Sequence, residues 1–561
     1  MIRTLFQSIS LLCVALGQPA FFSWLGPFAS TLGFALFWRT LGGVSLQKIG
    51  KISFLWFFLV QLIQLSWMAN LEYQGIYILV VYFILSAGLA WQFSFMTKIM
   101  HKASCVDWLF MAAMAALWTL FEWGRLHVLC GFAFNFLGLS LSCYNFPLQM
   151  ASLFGVLGMS FWVMLSNLAA WRFFRVPSLF HGIKWVILVS IPYLYGFFYV
   201  GYYNQKHLQG NQDSYSILLM QTGVSPAQKY SLKGREQEFV SPMDQWDRIL
   251  ESISLQKETF LDLLVLPEAA VPFGLDLYIY TSKEVRSLFS RHFGEHVLSF
   301  FPPQKKPFAL RERVSNAYIL QTLANFFNAP VLSGLDYQSG DGEFYNSAFY
   351  FEPNSFFPKR YDKRVLLPLA EYMPFSFLNG LSQYYGIKDF FTRGRESKVF
   401  SESFLISPSI CYEELFPSLM REGRLHGAQL FVNLSNDGYY PSSRLPIQHF
   451  TQGLIRGVEN GVPLVRSCNT GVTAAVDCLG RVIGKLEDEK GSVENVSGCL
   501  FVQVPRDHHI TGFVLWGEYP LILACFFFIL VAAIRSFKKR FPSTQHSREM
   551  EIELDENRGS G

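Results

Sequence analysis

The chain has 561 residues, of which 51% are hydrophobic, 17% aromatic and only 16% charged, and its mean hydropathy is +0.25. Soluble domains carry about 25% charged residues, so this balance excludes a wholly water-solvated protein and implies that part of the chain is solvated by lipid. The net charge of +4 and the lack of any interleaved basic and aromatic patch give no footing for a nucleic-acid partner.

Apolar runs fill the N-terminal part and recur once near the end, each close to the ~20 residues that cross a bilayer. They lie at about 4–20, 22–38, 53–69, 75–97, 106–128, 147–171, 185–203 and 513–534. The first two are short and joined by Gly17-Gln18-Pro19. A secretory signal peptide over residues 1–20 is the competing reading, but further apolar segments follow at once and no small-residue cleavage site stands out. Basic residues gather after the even-numbered segments: Arg39, Lys48 and Lys51, then Lys98 and Lys102, then Arg172, Arg175 and Lys184, then Arg535, Lys538, Lys539 and Arg540. By the positive-inside rule these loops and both chain ends are cytoplasmic, and the region between the seventh and eighth segments faces outward. The expected organisation is a transmembrane domain over 1–204, an exported domain over 205–512, an eighth span over 513–535 and a cytoplasmic tail over 536–561 that reads as disordered from 541.

In the exported domain, Tyr215–Met220 reads as a strand followed by turn composition. A second strand, Leu261–Leu266, runs into Pro267-Glu268, and an acid placed just after a buried strand sits at a sheet edge where sites are built. Glu268 is therefore a candidate base, with an exposed loop carboxylate or a helix first-turn acid as the alternatives. Residues 275–308 read as an insertion over the site. Strand-like runs 329–334 and 345–351 follow, with a turn at Gly340-Asp-Gly342. Lys363 then heads an apolar stretch that Glu371 closes, a setting for a buried ammonium beside a carboxylate.

The stretch Phe404–Pro417, FLISPSICYEELFP, breaks from an apolar strand into an acidic helix start at Cys411. A strand turning sharply into a helix exposes one side chain beside free backbone N–H groups, the geometry a nucleophile needs. The alternative for Cys411 is a buried structural cysteine. After it come a strand at 429–433, a helix over 448–460 and strands at 463–466 and 472–477, so strands alternate with helices in a layered α/β domain. No Cys/His spacing suggests a metal site, and the even count of Cys411, Cys468, Cys478 and Cys499 permits a disulfide without showing one. His508 and His509 read as surface or packing residues.

Three anchors in order, LPEAAVP around Glu268, YDKRVLLPLAEYMPF around Lys363 and ICYEELFP around Cys411, resemble the Glu, Lys, Cys triad of the nitrilase (carbon–nitrogen hydrolase) superfamily. The motifs NLSNDGYY, PIQHF, IRGVEN and RSCNTGVTAAVDCLG, with seven segments before the domain and one after, resemble its membrane branch, the apolipoprotein N-acyltransferases. The resemblance implies a polytopic α-helical membrane domain plus an exported α/β domain folded as a nitrilase-like αββα sandwich. It also implies a bacterial inner-membrane enzyme with a periplasmic catalytic domain and no metal or other cofactor. A phospholipid would donate the acyl group through a Cys411 thioester, and the α-amine of a diacylglyceryl-cysteine on an apolipoprotein would accept it, in the final step of lipoprotein maturation. Glu371, Tyr412 and Glu413 match supporting positions. Departures from that branch are Tyr230 after Lys229 and Tyr439 after the SND motif, both where Trp is usual, and Ala370 where Gly is usual; Tyr230 and Tyr439 are candidate substrate contacts. Aromatic stretches 375–378 and 384–391 are candidate lids, and Glu122 and Arg125 are a candidate pair or headgroup contact. The rival reading is a membrane-tethered amidohydrolase in which water replaces the amine.

Overall fold

The apolar runs fold as helices Ile2–Leu16, Leu46–Gln64, Tyr77–Lys102, Trp108–Arg125, Ala151–Arg175, Leu179–His207 and Tyr519–Arg540. The computed structural model describes residues 2–103, 106–207, 213–374, 390–400 and 404–540. Five helices among the described residues are long and apolar enough to cross a membrane: Leu46–Gln64, Tyr77–Lys102, Ala151–Arg175, Leu179–Lys206 and Tyr519–Phe537. Helices Leu179–His207 and Tyr519–Arg540 leave large apolar side chains such as Ile187, Phe198, Leu523 and Phe527 exposed on the outside of the bundle, a surface suited to lipid.

The second apolar run folds as one uninterrupted helical stretch over 23–39 that changes its winding along the way, from a 3₁₀ turn Ser23–Leu25 through Gly26–Phe28 and a π-helical part Ala29–Gly33 to an α-helix Phe34–Arg39, with helical backbone angles at each junction. Pro27 cannot donate within a helix, and the Ser30 and Thr31 hydroxyls bond back to its carbonyl at 3.1 and 2.6 Å. The backbone groups left over by the π-helical part fall to buried Asn167, whose amide donates to Ala29 O at 3.2 Å and Ser30 O at 3.0 Å while its oxygen accepts from Phe34 N at 2.9 Å. In an apolar surrounding such groups must be satisfied internally.

Among the described residues the α/β part holds fourteen strands in chain order: β1 (Ser214–Gln221), β2 (Leu263–Val265), β3 (Tyr280–Thr281), β4 (Ala309–Leu310), β5 (Arg313–Val314), β6 (Val331–Gln338), β7 (Phe344–Phe351), β8 (Lys359–Asp362), β9 (Ile406–Ile410), β10 (Leu430–Ser435), β11 (Leu464–Cys468), β12 (Ala474–Val476), β13 (Val482–Lys485) and β14 (Gly498–Pro505). They build a six-stranded sheet β14-β1-β2-β6-β7-β8, a five-stranded sheet β13-β12-β11-β10-β9 and a small β3-β5-β4 sheet. The large sheets stack face to face, because side chains alternate along each strand. Ile217, Leu219, Val432 and Leu434 fill the layer between the sheets. Leu218 and Met220 face helices Pro242–Ser254 and Asn316–Phe327 on one side, and Phe431 faces Met420 and Phe450 on the other. The result is the expected αββα sandwich.

Two local expectations are corrected. Residues 275–308 are no cover over the site: helix Ser282–Phe293 packs Val285, Phe289 and Phe293 into the outer apolar layer with Trp246 and Leu320. The helix expected over 448–460 is two, Leu445–Gly453 and Ile455–Asn460, parted at Leu454.

The helical and α/β parts share one core, in which Tyr412, Leu415, Phe416, Leu445, Ile455 and Val458 join the apolar cluster of the helices. Polar ties reinforce it: Gln448 Nε2 donates to Gln64 O at 2.9 Å, Asn70 Nδ2 to Pro441 O at 2.7 Å, and Val156 N to Glu459 Oε1 at 2.8 Å. The last tie sits at a kink where Gly155 takes φ +66. A Cβ at that position would lie 2.8 Å from the Phe513 ring and 3.0 Å from Glu459 Oε1, so only glycine fits.

Candidate active site

The site is assembled at the C-terminal ends of strands from both sheets. At the end of β9 the chain turns sharply, and Cys411 takes φ +52 before a short 3₁₀ turn, Cys411–Leu415. A left-handed conformation at a non-glycine residue costs ~1–2 kcal/mol, so the surroundings must hold it. Asn433 on β10 donates to the Cys411 carbonyl and to Ser409 Oγ, both at 3.1 Å.

Four consecutive side chains then leave this turn for four different places. Cys411 is buried against the inter-sheet layer. The Tyr412 hydroxyl accepts from Ala133 N at 2.9 Å and donates to Gly131 O at 3.1 Å, tying the turn to the helical part. Buried Glu413 accepts from Ile410 N at 2.8 Å and the Tyr361 hydroxyl at 2.9 Å with one oxygen, and from Val365 N at 3.0 Å and Arg364 N with the other. It therefore locks the Cys411 turn to the segment carrying Lys363. Glu414 enters a buried charge cluster with Arg466.

Glu268 follows β2, packed so closely on β6 that a Cβ at Gly334 would lie 2.6 Å from its Cα. Lys363, only 1% exposed, directly follows β8 and reaches inward. Its Nζ donates to Glu268 Oε1 at 3.1 Å and to Glu371 Oε1 at 2.7 Å. Asn346 Nδ2 also donates to Glu268 Oε1, at 2.7 Å. The second oxygen of Glu371 accepts from Leu367 N at 2.8 Å, which fixes that carboxylate. Burial opposes the Lys363 charge, but Glu268 and Glu371 outweigh it and hold the ammonium well above its ordinary pKa. Burial and the neighbouring Glu268 carboxylate push the Cys411 thiol well up, with Lys363 pulling the other way. The site therefore gathers a buried thiol, a buried ammonium and the Glu268 side chain within one another's electrostatic reach. That arrangement suits nucleophilic attack by sulfur with the developing oxyanion facing Lys363.

Comparison with known proteins bears on both parts of the chain. Residues 236–496 match the carbon-nitrogen hydrolase family and residues 10–169 match the apolipoprotein N-acyltransferase N-terminal domain. An apolipoprotein N-acyltransferase of Chlamydia caviae is 32% identical over 546 residues, covering 92% of this chain and 95% of its own. The chain belongs to the apolipoprotein N-acyltransferase family. Another member, from Chlamydia pneumoniae, is 30% identical and covers 94% of this chain and 96% of its own.

Further residues surround this site without a role that the sequence alone discloses. Asn469, within the RSCNTG motif, donates its side-chain amide to the Glu268 carbonyl. Lys229, 1% exposed, donates to Ala269 O at 2.6 Å beside the candidate base, and burial lowers its pKa to about 7. Behind Cys411, Arg466 pairs with Asp437 at 2.8 Å and His449 with Asp437 at 2.7 Å and Glu414 at 3.2 Å. Ligand-type atoms of Cys411, Asp437 and His449 lie within 4.8 Å of one another. The last two are already engaged by Arg466 and Glu414, so the donor set fits a charge-balanced support better than a cation cradle. The NLSNDGYY and PIQHF motifs contain Asp437 and His449, which is the signal that could have pointed to them.

The remaining candidates separate by location. Burial, then Asp336, Tyr439 and Glu268, push the Tyr230 phenol well up, which puts both candidate substrate contacts in the neighbourhood of Glu268. Tyr439 is 39% exposed and meets Tyr73 edge-on at 6.2 Å. The left-handed residue near the second carboxylate is Leu369, φ +67, so Ala370 itself needs no glycine. Glu122 lies 4.0 Å from Arg125 and accepts from Trp118 Nε1 at 3.0 Å and Leu137 N at 2.8 Å, a structural tie for the following loop. Cys468, Cys478 and Cys499 are free thiols. The candidate lid at 375–378, most of the one at 384–391 and the tail from 541 lie outside the described residues.

Proposed function

We propose that this enzyme transfers an acyl chain from a phospholipid to the α-amine of an apolipoprotein's diacylglyceryl-cysteine, through a thioester on Cys411. The observation that carries the proposal is the buried Lys363 ammonium bridging Glu268 and Glu371 beside the Cys411 turn. Glu268 takes the thiol proton as sulfur bonds to the ester carbonyl, and the oxyanion that forms faces Lys363 Nζ. Collapse breaks the acyl–oxygen bond, and the lysophospholipid leaves with the proton returned by Glu268. In the second half, Glu268 takes a proton from the incoming amine, the carbon–sulfur bond breaks and the proton goes back to sulfur. One oxyanion donor is worth ~3 kcal/mol of transition-state stabilisation. Glu371 fixes Lys363, and Tyr412 fixes the nucleophile turn against the membrane helices.

The topology supports a periplasmic catalytic domain. Arg39, Lys48, Lys98, Arg175 and Arg535 all lie at helix ends remote from Cys411, which by the positive-inside rule makes that end cytoplasmic. Both lipid substrates would then sit in the leaflet beside the site, where tethering raises their effective concentration. The test is transfer from acyl-labelled phosphatidylethanolamine to a diacylglyceryl-cysteine peptide, read by the peptide's mass. Wild type is expected to acylate the peptide and Cys411→Ala to leave it unchanged. Release of free fatty acid with no acylated peptide would instead favour hydrolysis.

A further inference from the structure

At the far end of the helical bundle the structure holds a second site-like feature that the chemistry at Cys411 does not use. A cavity of about 360 Å³ opens between the ends of helices Phe34–Arg39, Leu46–Gln64, Tyr77–Lys102 and Ala151–Arg175. Its place is fixed by direction: Gln64, at one end of helix Leu46–Gln64, bonds Gln448 of the α/β part, whereas Leu46 and Ile49, at the other end, line the cavity. A 19-residue helix separates the two, about 28 Å at 1.5 Å per residue.

Arg39, Arg175 and His101 line this cavity, and none of its lining residues is acidic. The two guanidiniums are held over rings, Arg39 at 5.3 Å from the Phe174 centroid and Arg175 at 5.1 Å from that of Trp171. Stacking of this kind orients a guanidinium while leaving its N–H fork free. Among the described residues, neither has a carboxylate within ion-pair distance, although a carboxylate at this same end, Asp107, is paired with Arg535 at 2.6 Å. The walls are aromatic and aliphatic, with Trp38, Leu41 and Trp171 among them.

We propose that this cavity binds the phosphate group of an anionic lipid in the leaflet opposite the one that serves Cys411. Two unpaired forks match phosphate oxygens, the apolar walls suit the glycerol and first methylenes, and basic pockets between membrane helices recognise such headgroups. Free phosphate shares the anion chemistry but would leave the apolar walls unfilled. The site is independent of acyl transfer and would hold the bundle in register at its cytoplasmic end.

The experiment is native mass spectrometry of the purified full chain in neutral detergent, titrated with phosphatidylglycerol, phosphatidylcholine or inorganic phosphate. Wild type is expected to bind one phosphatidylglycerol about tenfold or more tighter than phosphatidylcholine. Arg39→Gln/Arg175→Gln should lose that preference, while Lys48→Gln/Lys51→Gln, which removes the same charge outside the cavity, should keep it. Gly42→Trp, at a position where a Cβ meets nothing closer than 3.8 Å, fills the mouth without changing charge and should also abolish binding. Equal loss in the two double variants, retention in Gly42→Trp, or full displacement of the lipid by millimolar inorganic phosphate would each overturn the proposal.

Discussion

Glu413→Gln tests the architecture of the site without touching a reacting atom. The buried carboxylate serves four donors, Ile410 N and the Tyr361 hydroxyl on one oxygen and Val365 N and Arg364 N on the other. A carboxamide keeps the shape, but one of its two ends donates. With its nitrogen on the Ile410 side, the Tyr361 hydroxyl turns and accepts, and one backbone N–H is stranded. A stranded buried donor costs ~1–3 kcal/mol, and loss of charge assistance on the other two bonds adds ~1 kcal/mol. The sum is about 2–4 kcal/mol, and because burial raises the Glu413 pKa, bringing acid and amide closer in behaviour, the lower half applies. The damage falls on the turn that sets Cys411 and on the segment that sets Lys363. The assay is thermal unfolding in detergent together with steady-state acyl transfer. The unfolding midpoint should fall by a few degrees, and kcat by at least tenfold with KM within about twofold. A variant with wild-type midpoint and wild-type kcat would refute the reasoning that Glu413 joins the two halves of the site.

Other substitutions probe the electrostatics. Lys363→Met strands Glu268 and Glu371 in a buried site, so it should cost ~3–5 kcal/mol of stability as well as activity. Lys363→Arg should fold yet lose about a hundredfold in kcat, because the guanidinium fork does not place a donor where Nζ sits. For Lys229 the pKa falls from 10.5 to about 7 on burial. Between those values the unfolded chain binds one proton more than the folded chain, so this lysine makes stability rise with pH there, by up to ~1.4 kcal/mol per unit. Subtracting the Lys229→Met stability profile from the wild-type profile should leave that slope between pH 7 and 10; a flat difference contradicts the burial argument. Tyr412→Phe removes both bonds to the loop at Gly131 and Ala133 and should lower transfer to lipid substrates several-fold, measured against Cys411 alkylation as a control for folding.

The three residues that meet here stood out in the sequence by their setting: Glu268 follows the apolar run Leu261–Leu266, Cys411 follows Ile406–Ile410, and Lys363 heads the apolar stretch that Glu371 closes. The alternation of strands and helices gave a layered α/β domain, whereas the stacking of two sheets came from the family resemblance; in the structure Leu218 and Leu219 face opposite sides of one of them. What stayed hidden was what distant strands bring together. Asn346 and Asn469 reach Glu268 from 78 and 201 residues away, and nothing local distinguishes them from other asparagines. Glu413 was marked as a supporting position by the resemblance alone, because three of its four partners come from the Lys363 segment, far from it along the chain. The π-helical part of the second segment was hidden as well, because apolar composition cannot show that Asn167 serves the backbone groups such a stretch leaves over.

The central claim is that Cys411 carries the acyl chain between donor and acceptor. Intact-mass spectrometry of the detergent-purified chain after incubation with phosphatidylethanolamine tests it most directly, comparing wild type with Cys411→Ala and Glu268→Ala. The account predicts one hydroxylamine-sensitive acyl adduct on wild type and none on either variant. An adduct of equal size on Cys411→Ala, or none on wild type with any phospholipid, would contradict it.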